Sequence, residues 1–386
     1  MGVNLDLKDF NNQLNLKDKK KLSKFLFRIN FLEWPKFLKS FKKNYNYSFN
    51  KKLISKYKRF KNINIIGMGG SSLGAKAIYN FLQYKIKKKI VFFENLNLKK
   101  SKQSKSLNIV ISKSGNTLET VANFSSQFDI KDKNLFITEN SNNYLRKLAD
   151  KLRSDVIEHK NFIGGRFSVL SEVGMLPAQL MGLNENKFKK YNSLIKNKKF
   201  INNLINNTLS TFKLVKQKKY NSVILNYDAS SEDLFKWYQQ LVSESLGKKS
   251  KGILPVISNM PKDNHSILQL YLSGFKSNFY TFFIVEDKKS ISLNPKLLFN
   301  NFSFLKQRKT FEILNAQKIA TENVFRSKKI PFRSFYIKKR NEETLGELFC
   351  FFTLEVILLS HLLKVNPLDQ PEVELIKKET FKILKK

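Results

Sequence analysis

Between an apolar run and a helical pattern, the stretch VISKSGNTLET (110–120) places Ser112, Lys113, Ser114, Gly115 and Thr117. Hydroxyls and free backbone N–H groups at a helix start suit a phosphate, through hydrogen bonds and the helix dipole, and Lys113 adds charge. The alternative is a plain helix cap supplied by Asn116 or Thr117. A second turn of the same kind, IIGMGGSSLGAKA (65–77), sets Gly67, Gly69, Gly70 and Gly74 around Ser71 and Ser72. It begins like a dinucleotide fingerprint, but Ser72 stands where the third glycine is required, and no acidic residue convincingly closes a following strand to hold a ribose. Two hydroxyl-rich turns make the capping explanation less attractive than one would.

The elements that position these turns are short β runs alternating with helical stretches. Strands are expected at 62–67, 89–93, 108–112 and 134–138, and, after a Lys/Asn-rich helical bridge over 187–217, at 221–227, 252–257 and 278–286. Such alternation predicts α/β units, each a parallel sheet sandwiched by helices, with ligands at the carboxyl ends of the strands. The expected organisation is an N-terminal helical segment (1–55), a first α/β domain (56–190), a second (191–340) and a C-terminal helical segment (341–386).

Composition excludes several classes. Cys350 is the one cysteine and only His159, His265 and His361 are histidines, so neither a disulfide within the chain nor a zinc cluster is expected. Cys350 reads as a small buried apolar side chain. The net charge is +40, from 71 Lys and Arg against 31 Asp and Glu. The lysines are spread along the whole chain, so no nucleic-acid stripe is read from them, although the field should attract anionic substrates. The start of the chain lacks the apolar segment of a signal peptide, and no apolar run reads as long enough to span a bilayer. The expectation is a cytoplasmic protein with no membrane partner.

Six segments in order, IGMGGSSLG, SKSGNTLET, GGRFSVLSEVG, QQLVSESLGKKSKG, DNHSILQLYLSG and NPLDQPEVELIKK, carry a resemblance. Together they resemble the glucose-6-phosphate isomerase family, from about residue 60 to the end. The resemblance implies two flavodoxin-like sugar-isomerase (SIS) domains, a sugar-phosphate substrate and no cofactor or metal. It assigns the substrate phosphate to Ser71 beside Gly70, and to Ser112, Lys113, Ser114 and Thr117. It further implies Glu244 as the base that moves a proton between C2 and C1, and Arg166, after Gly165, as the stabiliser of the enediolate. Gln240 and Gln370 follow as substrate contacts, and His265 and Lys377 as the ring-opening pair. In the family the histidine comes from the neighbouring subunit of a homodimer.

Local patterns support part of this. Trp237, Leu241 and Glu244 share a helix face, so the carboxylate lies on an apolar stripe where ionisation is costly. A base for a weakly acidic C–H bond needs that poise. The competing reading pairs Glu244 with Lys248 one turn on. Lys377 falls on the face of Val373, Ile376, Phe381 and Leu384, an unusual place for a lysine. His159 and His361 match no family site and read as structural. The chain is shorter than most relatives, which leaves the dimer as an expectation from the resemblance alone.

Overall fold

The computed structural model describes residues 5–10, 14–32, 34–96 and 105–385. Two five-stranded sheets carry the fold. The first contains β2 (Asn62–Gly67), β3 (Lys89–Phe93), β4 (Leu107–Ile111), β5 (Lys133–Thr138) and β6 (Asp155–Glu158), in the order β3-β2-β4-β5-β6 and parallel throughout. Every residue of β4 is buried, as expected where helices cover both faces. The strand order reverses between β2 and β4, so the crevice between their carboxyl ends is a ready ligand site. Both hydroxyl-rich turns leave from these two ends.

The second sheet has the order β1-β10-β9-β7-β8, with β7 (Asn221–Asn226), β8 (Leu254–Asn259), β9 (Asn278–Val285) and β10 (Phe332–Ile337) parallel. Its outer strand corrects two expectations. The N-terminal segment is not wholly helical: Leu5–Lys8 forms β1, antiparallel to β10, so this sheet is mixed. Strands β6 and β10 also lie outside the expected set.

Helices used below are α1 (Leu16–Phe31), α2 (Leu73–Phe81), α3 (Leu118–Gln127), α4 (Lys198–Lys216), α5 (Glu232–Leu246), α6 (Glu342–Leu363) and α7 (Pro371–Leu384). Helix α5 packs on α2 and on α6, joining the two sheets' layers. Against expectation, α6 is long and apolar enough to cross a bilayer, yet it is almost wholly buried between α4 and α5, as a core helix. It contains Cys350, fully buried as expected. Its Glu355 pairs with Arg333 of β10, and Arg333 Nε donates to Thr281 Oγ1 at 3.0 Å, so neither buried charge is left unpaired.

His159, just after β6, is structural as read. Its backbone N–H donates to Thr138 O at 2.8 Å, and Nδ1 lies 3.2 Å from Lys160 O, which fixes the Nδ1–H tautomer. Burial, opposed by that carbonyl and assisted by the Lys113 charge, pushes the imidazole down to about 4 from 6.5. The unfolded chain therefore binds a proton that the folded chain does not over this interval. The contribution to stability is complete above 6.5 and lost as pH falls toward 4, reaching about 3 kcal/mol. Urea titrations of wild type and His159→Gln across that range should show this slope in the wild type and a shallower one in the variant.

Candidate active site

The turn after β2 is a 3-10 segment, Gly69–Ser71, that feeds α2. Gly69 adopts φ +53°, and a Cβ there would meet Gln240 Nε2 at 2.9 Å. A Cβ on Gly70 would lie 2.2 Å from the carbonyl carbon of Gly165, so backbone touches backbone between this turn and the GGR loop. Ser168 Oγ bridges them, donating to Gly70 O at 3.1 Å and Gly165 O at 2.7 Å.

The register pairs Gly67 with Ile111, which brings the second turn alongside the first. Ser112 and Thr117 share a hydrogen bond of 2.8 Å. Thr117 is the N-cap of α3 but makes no side-chain capping bond, and Asn116 Oδ1 accepts from Tyr144 N–H instead. Neither capping alternative is realised, and α3 begins without a side-chain acceptor. Ser114 Oγ accepts from Asn116 N–H at 3.3 Å. Lys113 is turned aside, donating to Asn161 O at 2.7 Å and lying 3.3 Å from Glu139.

Arg166 organises the neighbouring cluster. It sits on a buried 3-10 segment, Gly165–Leu170, and its side chain is only 3% exposed. Nε donates to Ser245 Oγ at 3.0 Å, and Nη1 to Glu244 Oε2 at 2.9 Å and Gln370 Oε1 at 2.7 Å. Nη2 donates to Pro367 O and to Asp369 O at 3.0 Å. These five bonds match the five N–H donors of the group. Burial pulls the guanidinium down from its ordinary value, while Glu244 and then Asp369 act in the opposite sense. Glu244 also accepts from Gln240 Nε2 at 2.8 Å and keeps about a quarter of its side chain exposed. Below it on α5, Trp237 and Leu241 are buried, so the carboxylate stands at the open end of the apolar stripe. A cavity of about 660 Å³ opens there, lined by Glu244, Lys248, Asp369 and Gln370 among others. Lys248 does not pair with Glu244: its Nζ lies 2.6 Å from Asp369 Oδ1.

Glu244, Arg166, Gln240 and Gln370 thus form one hydrogen-bonded cluster, with Gly70 and Gly165 packed beside it and the Ser71 and Ser112–Thr117 turns adjacent. Two expected residues are not in it. His265 is exposed on a 3-10 turn, Lys262–His265. Lys377 is about half exposed and pairs with Glu374 at 2.6 Å. Its apolar stripe exists in sequence, but α7 buries no side chain, so Lys377 does not point into a packed face of this chain. Ser168, Ser245, Pro367 and Asp369 were not singled out from sequence. Their signal was proximity to the GGR, SES and NPLDQP segments, but main-chain acceptors such as Pro367 O leave no mark on residue type.

The solved structures of similar shape share this two-sheet fold. They include a hypothetical protein from Thermus thermophilus (TM-score 0.79, 21% identity, 95% of this chain and 94% of that one) and a glucose-6-phosphate isomerase from Chlamydia trachomatis (TM-score 0.68, 18% identity, 86% and 71%). The chain belongs to the phosphoglucose isomerase family, whose model matches residues 48–386. Among curated relatives, glucose-6-phosphate isomerase of Methanocaldococcus jannaschii is 31% identical over 86% of this chain and 87% of its own. That of Mycoplasmopsis synoviae is 32% identical over 83% and 82%.

Gly70→Ala tests the contact between the first turn and the GGR loop. The added Cβ should lower stability by about 1–3 kcal/mol and reduce activity together with it. Urea denaturation of the variant checks the first, and a wild-type midpoint would show that the two backbones are not in contact.

Proposed function

We propose that the protein interconverts D-glucose 6-phosphate and D-fructose 6-phosphate. The observation that carries this reading is the Glu244–Arg166 pair, with Gln240 and Gln370, beside two hydroxyl-rich turns at one switch point. The phosphate sits against Ser71, Ser112, Ser114 and Thr117, with the charge of Lys113 in the same loop. Holding that remote end places C1 and C2 at Glu244.

On the open-chain aldose, Glu244 takes the proton from C2, and the C1 carbonyl oxygen receives the electron pair. The resulting cis-enediolate is stabilised by the positive charge of the Arg166 guanidinium, fixed in place by its own hydrogen bonds. Glu244 then returns the proton to C1, while the C2 hydroxyl gives up its own to O1, leaving the ketose. Gln240 supports the placement: its Oε1 is buried and has no partner among the described residues, an acceptor suited to a sugar hydroxyl.

Ring opening precedes this step, and His265 and Lys377 are its proposed agents. Their exposure in one chain fits a homodimer in which His265 reaches the neighbouring site. Leu270 and Phe275 near His265, and Val373, Ile376 and Phe381 around Lys377, are exposed apolar side chains that a second copy would cover. The domain division 56–190 and 191–340, completed by 341–386, and a cytoplasmic site of action belong to the same reading.

A coupled assay supplied with fructose 6-phosphate and detecting glucose 6-phosphate tests the reaction. Glu244→Gln keeps the shape and removes the base, so kcat should fall about 10³-fold with phosphate binding retained. Near-normal kcat in that variant would remove Glu244 from the mechanism. Lys377→Met should slow the cyclic substrate more than an open-chain one, and equal losses would argue against ring opening.

A further inference from the structure

The strap 364–370, between α6 and α7, is gripped from two sides. Arg166 takes Pro367 O, Asp369 O and the Gln370 amide oxygen. From the other side, Lys251 Nζ donates to Leu363 O at 2.9 Å, where α6 ends. Lys248 Nζ donates to Asn366 O and meets Asp369 Oδ1 at 2.6 Å. Within the strap, Asn366 Nδ2 donates to Asp369 Oδ2 at 3.2 Å, so the Asp369 carboxylate is committed at both oxygens.

The two lysines are aimed by a tight turn. Lys248 and Lys251 exchange backbone hydrogen bonds, 3.0 Å each way, and the residues between them are both left-handed, Lys249 at φ +52° and Ser250 at φ +55°. Neither is a glycine, so each left-handed residue costs about 1 kcal/mol that the surroundings must hold in place. Lys248 itself is only 11% exposed at its side chain. Lysines rarely give up that much hydration without a specific partner. The Lys248 ammonium also holds the Asp369 carboxyl below its usual range.

The strap matters because α7 buries no side chain of its own. Its start at Pro371 is set by Gln370, and Gln370 is set by the strap. We propose that Lys248 is a positioning residue, latched to Asp369, that holds strap 364–370 over Glu244 so that Gln370 and the Arg166 guanidinium stay in register. This rests on the isomerase reading for its effect on turnover, but not for its effect on the strap.

The experiment compares Lys248→Met, Asp369→Asn, their double variant and Lys248→Arg in the full chain. Turnover is read by the coupled assay and backbone amide exchange over 364–370 by mass spectrometry. Each neutralising single variant should lower kcat/KM about ten-fold, the double no further, and Lys248→Arg should keep most of the activity. Strap amides should exchange faster in both single variants, with affinity for inorganic phosphate unchanged. Additive losses, or wild-type exchange in Lys248→Met, would overturn the latch. Amide exchange needs no turnover, so an inactive wild type would count against the isomerase reading and leave the latch still decided by exchange.

Discussion

A single buried guanidinium sets the terms for this site. Arg166 gives up bulk water and places its N–H donors on Ser245, Glu244, Gln370, Pro367 and Asp369. Its acceptors come from helix α5 and from the strap 364–370, segments more than 100 residues apart in sequence. A charge this buried is tolerated only when its hydrogen bonds are satisfied, so the partners are held as firmly as the arginine. The candidate base is one of those partners. Fixing Arg166 therefore fixes Glu244, and in the proposed reaction this pair is assigned to the enediolate.

The rest of the fold serves that placement. The parallel first sheet brings the ends of β2 and β4 side by side, which turns two hydroxyl-rich loops into one surface. The contact of Gly70 with Gly165 ties that surface to the loop carrying Arg166. Helix α5 spans the distance between the sheets' layers and supplies Gln240 from one turn and Glu244 and Ser245 from the next. Its buried side, with Trp237 and Leu241, keeps the helix from rotating the carboxylate away.

Much of this was legible in sequence because it follows local rules. Apolar β runs ending in Gly and Ser marked β2 and β4, and the 3.6 period placed Glu244 at the end of a buried stripe. The alternation of strands and helices predicted the α/β layering. What escaped depends on distant partners. Strand β1 is four residues long and exists by pairing with β10, more than 300 residues away in the chain. Helix α6 carries an apolar run that composition alone does not distinguish from a membrane span. The i+4 spacing offers Lys248 to Glu244, but the strap offers it a carboxylate and a carbonyl together. Lys377 lies on an apolar helical face, but an apolar stripe in sequence does not say whether the same chain covers it, and here it does not.

The most direct test of the central claim is Arg166→Lys. Lysine keeps the positive charge but loses the planar fork, so it cannot reach these acceptors together. Sugar-phosphate isomerisation should fall by about a hundred-fold or more in kcat/KM, with inorganic phosphate still bound at wild-type affinity. A variant with near-wild-type kcat/KM would contradict the view that this one guanidinium holds the base and the enediolate site together.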